Sequence, residues 1–308
     1  MAARRSDRSG PPIEWQTLLV LLACYGTWGA VTYFHEKFGL WLMIPIAVYS
    51  VALHSSLQHE ALHGHPTRWR FVNELLVFAT LGLFVPYRRF RATHLRHHCN
   101  ERLTDPYDDP ESWFLAETDW ERLSGSMRVL LSFNATLAGR LVLGPALAAI
   151  GLWRNDFREL RAGNMSVARA YILHGLGIAI VLGWVVGVCG LNPLVYALLV
   201  CYPAMSCLML RTYAEHRAHE KPTSRSAIIE ATPFFALLFL NNNLHHVHHS
   251  SPRTPWYELP GLYRAGKQRF VSENGGYGFD GYGALFRRHF LRPVNAIVHP
   301  FLYRKEQT

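Results

Sequence analysis

Three histidine clusters, each downstream of an apolar segment, constrain this chain more than any other feature. His59 and His63 stand four apart, His94, His97 and His98 form H-x-x-H-H, and His245, His248 and His249 repeat the second spacing. His246 raises the last cluster to four histidines in five residues, a density that core packing does not explain. A fold for this sequence must keep the apolar segments in a nonpolar phase and still gather three distant clusters.

Composition points to that phase being a bilayer. Half of the 308 residues are hydrophobic and 17% are charged, below the ~25% of soluble domains. The formal charge of +9 suits an anionic membrane surface or an acidic protein partner. Nucleic acid is disfavoured, because the basic residues flank apolar segments instead of forming a stripe. The five cysteines show neither CxxC pairing nor disulfide-like spacing. Cys99 follows the second box but reads as a bystander to it.

In chain order, 1–12 is a basic tail expected to be disordered, and 13–308 is a single membrane domain. Spans are expected at 15–34, 40–57, 171–189 and 194–210, each near the ~20 residues a transmembrane helix needs. They form two hairpins. Residues 71–87 contain Asn73 and Glu74, end at Pro86 and read as a helix dipping in from one side. Residues 129–153, interrupted by Gly139-Arg140 and Gly144-Pro145, read as membrane-embedded or interfacial. Arginines at 4, 5, 8, 68, 70, 88, 89, 91, 154, 158, 161, 169 and 211 place one side in the cytoplasm by the positive-inside rule. All three histidine boxes then share that face, carried by a cytoplasmic cap of 58–170 and 211–308. In a bacterium the membrane would be the inner one. The expected fold class is therefore all-α integral membrane, with four transmembrane helices plus membrane-embedded and interfacial ones.

The boxes have the chemistry of a metal centre. On a helix, i and i+4 histidines project from one face, and H-x-x-H-H offers ligands to two adjacent metals. The boxes supply His59, His63, His94, His97, His98, His245, His248 and His249. Zinc takes about four ligands, so this count points to two metals. Imidazole suits Zn, Cu, Fe and Ni alike, and a site open to dioxygen at the membrane face favours iron. His216, just after the fourth span, is a candidate ninth ligand. His65, His219 and His246 are weaker candidates. His54, His174, His289 and His299 read as structural, and His35 falls on the opposite side. Glu60 and Asn242 are candidates to orient ring N–H groups or a water. Asp105, Asp109 and Glu111 read as a solvated turn or partners of cap arginines. His59-Glu60-x-x-His63 is also the H-E-x-x-H of zinc hydrolases, which remains an alternative beside a membrane metal-binding protein without redox chemistry.

At these residues the chain resembles the membrane fatty acid desaturase superfamily, whose boxes read H-x(3–4)-H, H-x(2–3)-H-H and [HQ]-x(2–3)-H-H around two pairs of spans. The resemblance runs from the first span to just past the third box. It implies a non-haem di-iron centre of two Fe ions, consumption of O2, and attack on an unactivated C–H bond of a fatty acyl chain or lipid, most simply desaturation. Hydroxylation or ketolation of a lipid, carotenoid or other apolar substrate at the same centre is the near alternative. The resemblance also implies a histidine between the fourth span and the third box, at His216. Some members carry an asparagine four residues before it, where this chain has Thr212. A fused cytochrome b5 would show as His-Pro-Gly-Gly, which is absent, and there is no iron–sulfur cysteine pattern. A separate ferredoxin or cytochrome b5-like donor is therefore implied, and an acidic one would suit the basic surface.

Overall fold

A computed structural model describes residues 13–301; the expected tail at 1–12 lies outside them. The described chain is mostly helical. Helix α1 (Trp15–Tyr33) turns at Gly39, whose φ is 73°, and returns as α2 (Leu40–His63). The two run antiparallel: Cys24 Sγ donates to the Ser50 carbonyl at 3.2 Å and Tyr25 Oη lies 2.9 Å from His54 Nε2. Helix α2 has 24 residues, a length of about 36 Å that exceeds the ~30 Å hydrocarbon core. It continues past the expected end at residue 57 and carries His59 and His63 on its last two turns, where Gly64 (φ 101°) stops it.

Among the described residues four helices are long and apolar enough to cross a membrane: Leu40–His63, Leu137–Arg161, Met165–Val188 and Pro193–Thr212. Three match the sequence expectation. The fourth to meet these criteria is Leu137–Arg161 (α6), in the stretch expected to be membrane-embedded or interfacial, and α1 does not meet them. In α1, Gln16, three threonines, two tyrosines and two tryptophans dilute the apolar residues. In α6, apart from Arg140, the charges gather at one end, from Arg154 onward, and leave the rest apolar.

Between α2 and α6 lie α3 (Arg70–Leu76), α4 (Tyr87–His97) and α5 (Gly125–Asn134). The backbone from Val77 to Pro86 is not helical, so the expected dipping helix forms only over its first half. Its carbonyls find side-chain donors on the spans. Tyr196 Oη donates to Leu81 O at 2.9 Å, and His174 Nε2 and Trp153 Nε1 donate to Leu83 O and Phe84 O at 3.0 and 3.3 Å. Irregular backbone at this depth is tolerable only when so satisfied. Gly177 allows the approach: a Cβ there would stand 2.6 Å from both Phe78 O and Thr80 Oγ1.

Helices α7 (Met165–Val188) and α8 (Pro193–Thr212) form the second hairpin. On α7, Ile172, Leu176 and Ile180 recur every fourth residue and are 66, 54 and 56% exposed, as expected of a face meant for lipid tails. After α8 the chain forms β1 (Ile228–Ile229), then α9 (Pro233–Leu238) and α10 (His245–Ser250). Strand β1 pairs in parallel with β2 (Gly278–Phe279), which follows α11 (Leu259–Glu273) and precedes α12 (Tyr282–His289). Asn243 Nδ2 donates to Ile229 O at 2.7 Å and His246 N–H to Ala227 O at 2.9 Å, so β1 fixes the start of α10.

Candidate metal centre

The histidines converge from three helices and one extended segment. Helix α2 contributes His59 and His63, α4 contributes His94 and His97 with His98 at its C-cap, and α10 contributes His245, His248 and His249. His216 lies beyond α8, bridged to Ser226. Within the described residues the ligand atoms fall into two groups. His59, His63, His94, His98 and His248 form one, and His97, His216, His245 and His249 the other, with the atoms of each group within 4.8 Å of one another. Each H-x-x-H-H box divides between the two groups: its first and third histidines, four apart, share one group, and its middle histidine joins the other. All nine histidines named from the sequence are thus gathered. His65, His219, His246 and Cys99 belong to neither group. His65 instead pairs with Glu14 at 2.6 Å, and His246 faces Phe270 and Glu273.

The second group shows why a cation fits. His97 Nδ1 donates to Asp109 Oδ1 at 2.8 Å, His245 Nδ1 to Asn242 Oδ1 at 3.0 Å, and His216 Nδ1 to Arg225 O at 3.3 Å. Each acceptor is an oxygen, so each neutral ring carries its proton on Nδ1 and presents a lone pair from Nε2. Those lone pairs face one another: the Nε2 atoms of His97 and His245 each lie 2.9 Å from that of His216. Facing lone pairs repel unless a proton or a metal cation lies between them. In the first group His94 Nδ1 donates to Glu111 at 3.1 Å, leaving its Nε2 at 2.9 Å from that of His59 and 3.0 Å from that of His98. His63 Nε2 is buried and has no hydrogen-bond partner among the described residues. Imidazole clusters with carboxylates on the far nitrogens are a usual metal-site arrangement.

Carboxylates also tune these rings. Burial lowers the pKa of His97, but Glu111 and Asp109 outweigh it and raise it to about 9. His94 stays lowered, since burial dominates over Glu111. Burial pushes Glu111 up, yet the neighbouring His94 and His97 bring it well below the usual carboxylate range. Glu215 is raised to about 7 by burial, against the pull of Arg211, with which it pairs at 3.0 Å; its carboxylate also lies 3.4 Å from His245 Nδ1. His216, His245, His248 and His249 are all lowered by burial, reinforced by neighbouring histidines.

Sequence reasoning set Asp109 and Glu111 against arginines or solvent. The structure turns both onto the boxes instead, while Asp105 caps its own turn at the Tyr107 and Asp108 N–H groups. Glu215 was missed altogether, although its place one residue before His216 was a signal. Asn242 sits between the groups, with Oδ1 on His245 and Nδ2 3.4 Å from His59 Nε2. Glu60 accepts from Trp256 N–H at 3.2 Å and stands 3.9 Å from His59 Nδ1, beyond hydrogen-bond reach.

A cavity of about 930 Å³ adjoins the second group. His97, Glu111 and His216 line one end, and Val51, Cys201, Ala204 and Leu208, on α2 and α8, line its apolar wall.

The sequence model of the fatty acid desaturase family matches residues 37–280, which contain every clustered histidine. The chain belongs to that family. No match is found among curated proteins. Membership, four apolar helices and histidine clusters compatible with metal together make this desaturase-family chain an integral membrane protein and an oxidoreductase of the kind that modifies fatty acids.

Proposed function

We propose that this protein is an O2-dependent di-iron desaturase that introduces a double bond into a fatty acyl chain. The observation that carries the reading is the division of nine histidines into groups of five and four, each tight enough for one ion. In this reading His59, His63, His94, His98 and His248 hold one iron, and His97, His216, His245 and His249 hold the other. The bound metals supply dioxygen activation and the oxidising power to remove hydrogen from an alkyl chain. The chain's own residues set the positions of the metals. Asp109, Glu111 and Asn242 hold His97, His94 and His245 in the tautomer that presents Nε2. The cavity wall of α2 and α8 keeps the alkyl chain away from water. Two electrons per turnover come from a separate ferredoxin or cytochrome b5-like protein docking on the face that carries the boxes, which the arginine distribution assigns to the cytoplasm.

The zinc-hydrolase alternative fares worse. A group of five imidazoles exceeds a tetrahedral zinc shell, and Glu60, the base that alternative needs, is committed to Trp256 N–H and belongs to neither group. The test is product analysis with purified protein, an acyl lipid, O2 and a reductant. Loss of two hydrogens, dependent on both O2 and reductant, supports desaturation. Gain of one oxygen moves the reading to hydroxylation, and product formed without O2 removes the oxygenase reading.

A further inference from the structure

We infer that Arg140 is the binding site for a singly charged oxyanion, a carboxylate or phosphodiester, at the end of the acyl substrate. The inference rests on the reading of the cavity as the acyl site. Five arginines line that cavity: Arg89, Arg96, Arg140, Arg158 and Arg211. Arg89 pairs with Asp156 at 2.6 Å, Arg211 with Glu215 at 3.0 Å, and Arg96 lies 3.8 Å from Asp108. Arg158 is exposed and donates to Asn155. Arg140 differs from all of these. It is 6% exposed, and among the described residues no carboxylate pairs with it. Its Nε donates to Asn134 O at 3.2 Å, and its guanidinium carbon lies 3.7 Å from the Trp113 ring centre and 5.8 Å from that of Tyr213.

Stacking on Trp113 stabilises a guanidinium through the ring face, but it does not replace a counter-ion for a charge taken out of water. It also leaves the edge of the guanidinium free, and that edge carries the parallel N–H pair that matches a carboxylate or phosphate bidentately. Burial shields the residue from the headgroups of the surrounding bilayer, so the anion must enter the cavity. Because the other buried lining arginines already have carboxylate partners, the cavity neutralises about one negative charge. That suits a free fatty acid or a phosphodiester and does not suit a polyphosphate carrier. Trp113 follows Glu111 by two residues and Tyr213 precedes His216 by three, so both residues around Arg140 belong to segments that carry the candidate metal centre. The charged end would be held close to that centre, with the alkyl chain running down the α2–α8 wall.

The test is equilibrium binding to the full-length protein in mild detergent, with metal content measured alongside. The probes are stearic acid, a lysophosphatidylglycerol of equal chain length, and stearyl alcohol as the neutral control. Wild type should bind at least one anionic probe ~10-fold or more tighter than the alcohol, as a charge-assisted bidentate pair allows. The tighter of the two anions names the source of the charge. R140Q should erase that difference and leave alcohol binding and metal content unchanged. R140K, which keeps the charge but loses the fork, should retain only part of it and serves as the readout if R140Q does not fold. Equal affinity for acid and alcohol in wild type, no binding of any probe, or a preference that survives in R140Q and R140K would each overturn the inference. Metal content at wild-type level in those cases leaves the metal-centre reading standing, whereas absence of metal removes that reading separately.

Discussion

His97 donates its Nδ1 proton to Asp109 at 2.8 Å, and both side chains are only 2% exposed. The other carboxylate oxygen of Asp109 accepts from Thr104 N–H at 2.8 Å, so the same residue fixes the ring and the loop after the second box. Asp109→Asn keeps the shape and removes the charge. We expect affinity of the four-histidine group for its metal to fall ~10–100-fold, the usual effect of losing such an outer carboxylate. Metal analysis after dialysis against a chelator should show one ion lost well before the other. Equal retention of both would contradict the assigned role.

The cavity can be narrowed without touching a histidine. A Cβ at Gly151, which lines it on α6, meets nothing within 4 Å. Gly151→Leu should fold and should gain up to about 1 kcal/mol of helix propensity. Metal content should be unchanged, while turnover of long acyl chains falls more than that of short ones. Uniform turnover across chain lengths would show that the substrate does not pass Gly151.

Gly177 lies where α7 meets the irregular backbone after α3. The space that a Cβ would need there is taken by Phe78 O, a backbone atom that cannot move aside cheaply. Gly177→Ala should cost about 1–3 kcal/mol of stability by overpacking and lower the thermal midpoint in detergent. An unchanged midpoint would mean that the loop moves freely.

His246 separates geometry from mere histidine density. It stands between His245 and His248 in sequence but faces Phe270 and Glu273, away from both groups. His246→Ala should keep the full metal complement and lose about 2–3 kcal/mol of stability, because the ring is 4% exposed and its removal leaves a cavity. Metal loss comparable to that of His248→Ala would contradict the division.

What was legible in the sequence followed strong periodic signals. His59 and His63, four apart, had to share a helix face, and hydropathy found α7 and α8 because both are uninterrupted. Signals that depend on tertiary partners were not legible. That α6 runs unbroken through Gly139-Arg140 and Gly144-Pro145 was not legible, because only a packed helix accommodates them. The helix expected over 71–87 stops at Leu76, and beyond it the carbonyls of Leu81, Leu83 and Phe84 are satisfied by Tyr196, His174 and Trp153, all distant in sequence. Asp109 and Glu111 lie in a proline-rich acidic turn that looks solvated until the fold closes it over His94 and His97. The two-group division of the boxes follows from i and i+3 side chains pointing to different sides, but which histidine joins which group needs all three helices in place.

The central claim is that nine histidines hold two ions of iron. Its most direct test is metal content per chain of protein purified in mild detergent after iron-replete expression, with His248→Ala alongside. The account predicts about two irons per chain, given some four to five imidazoles for each, and loss of iron in the variant, beginning with the five-histidine group. One zinc per chain with no iron would contradict it.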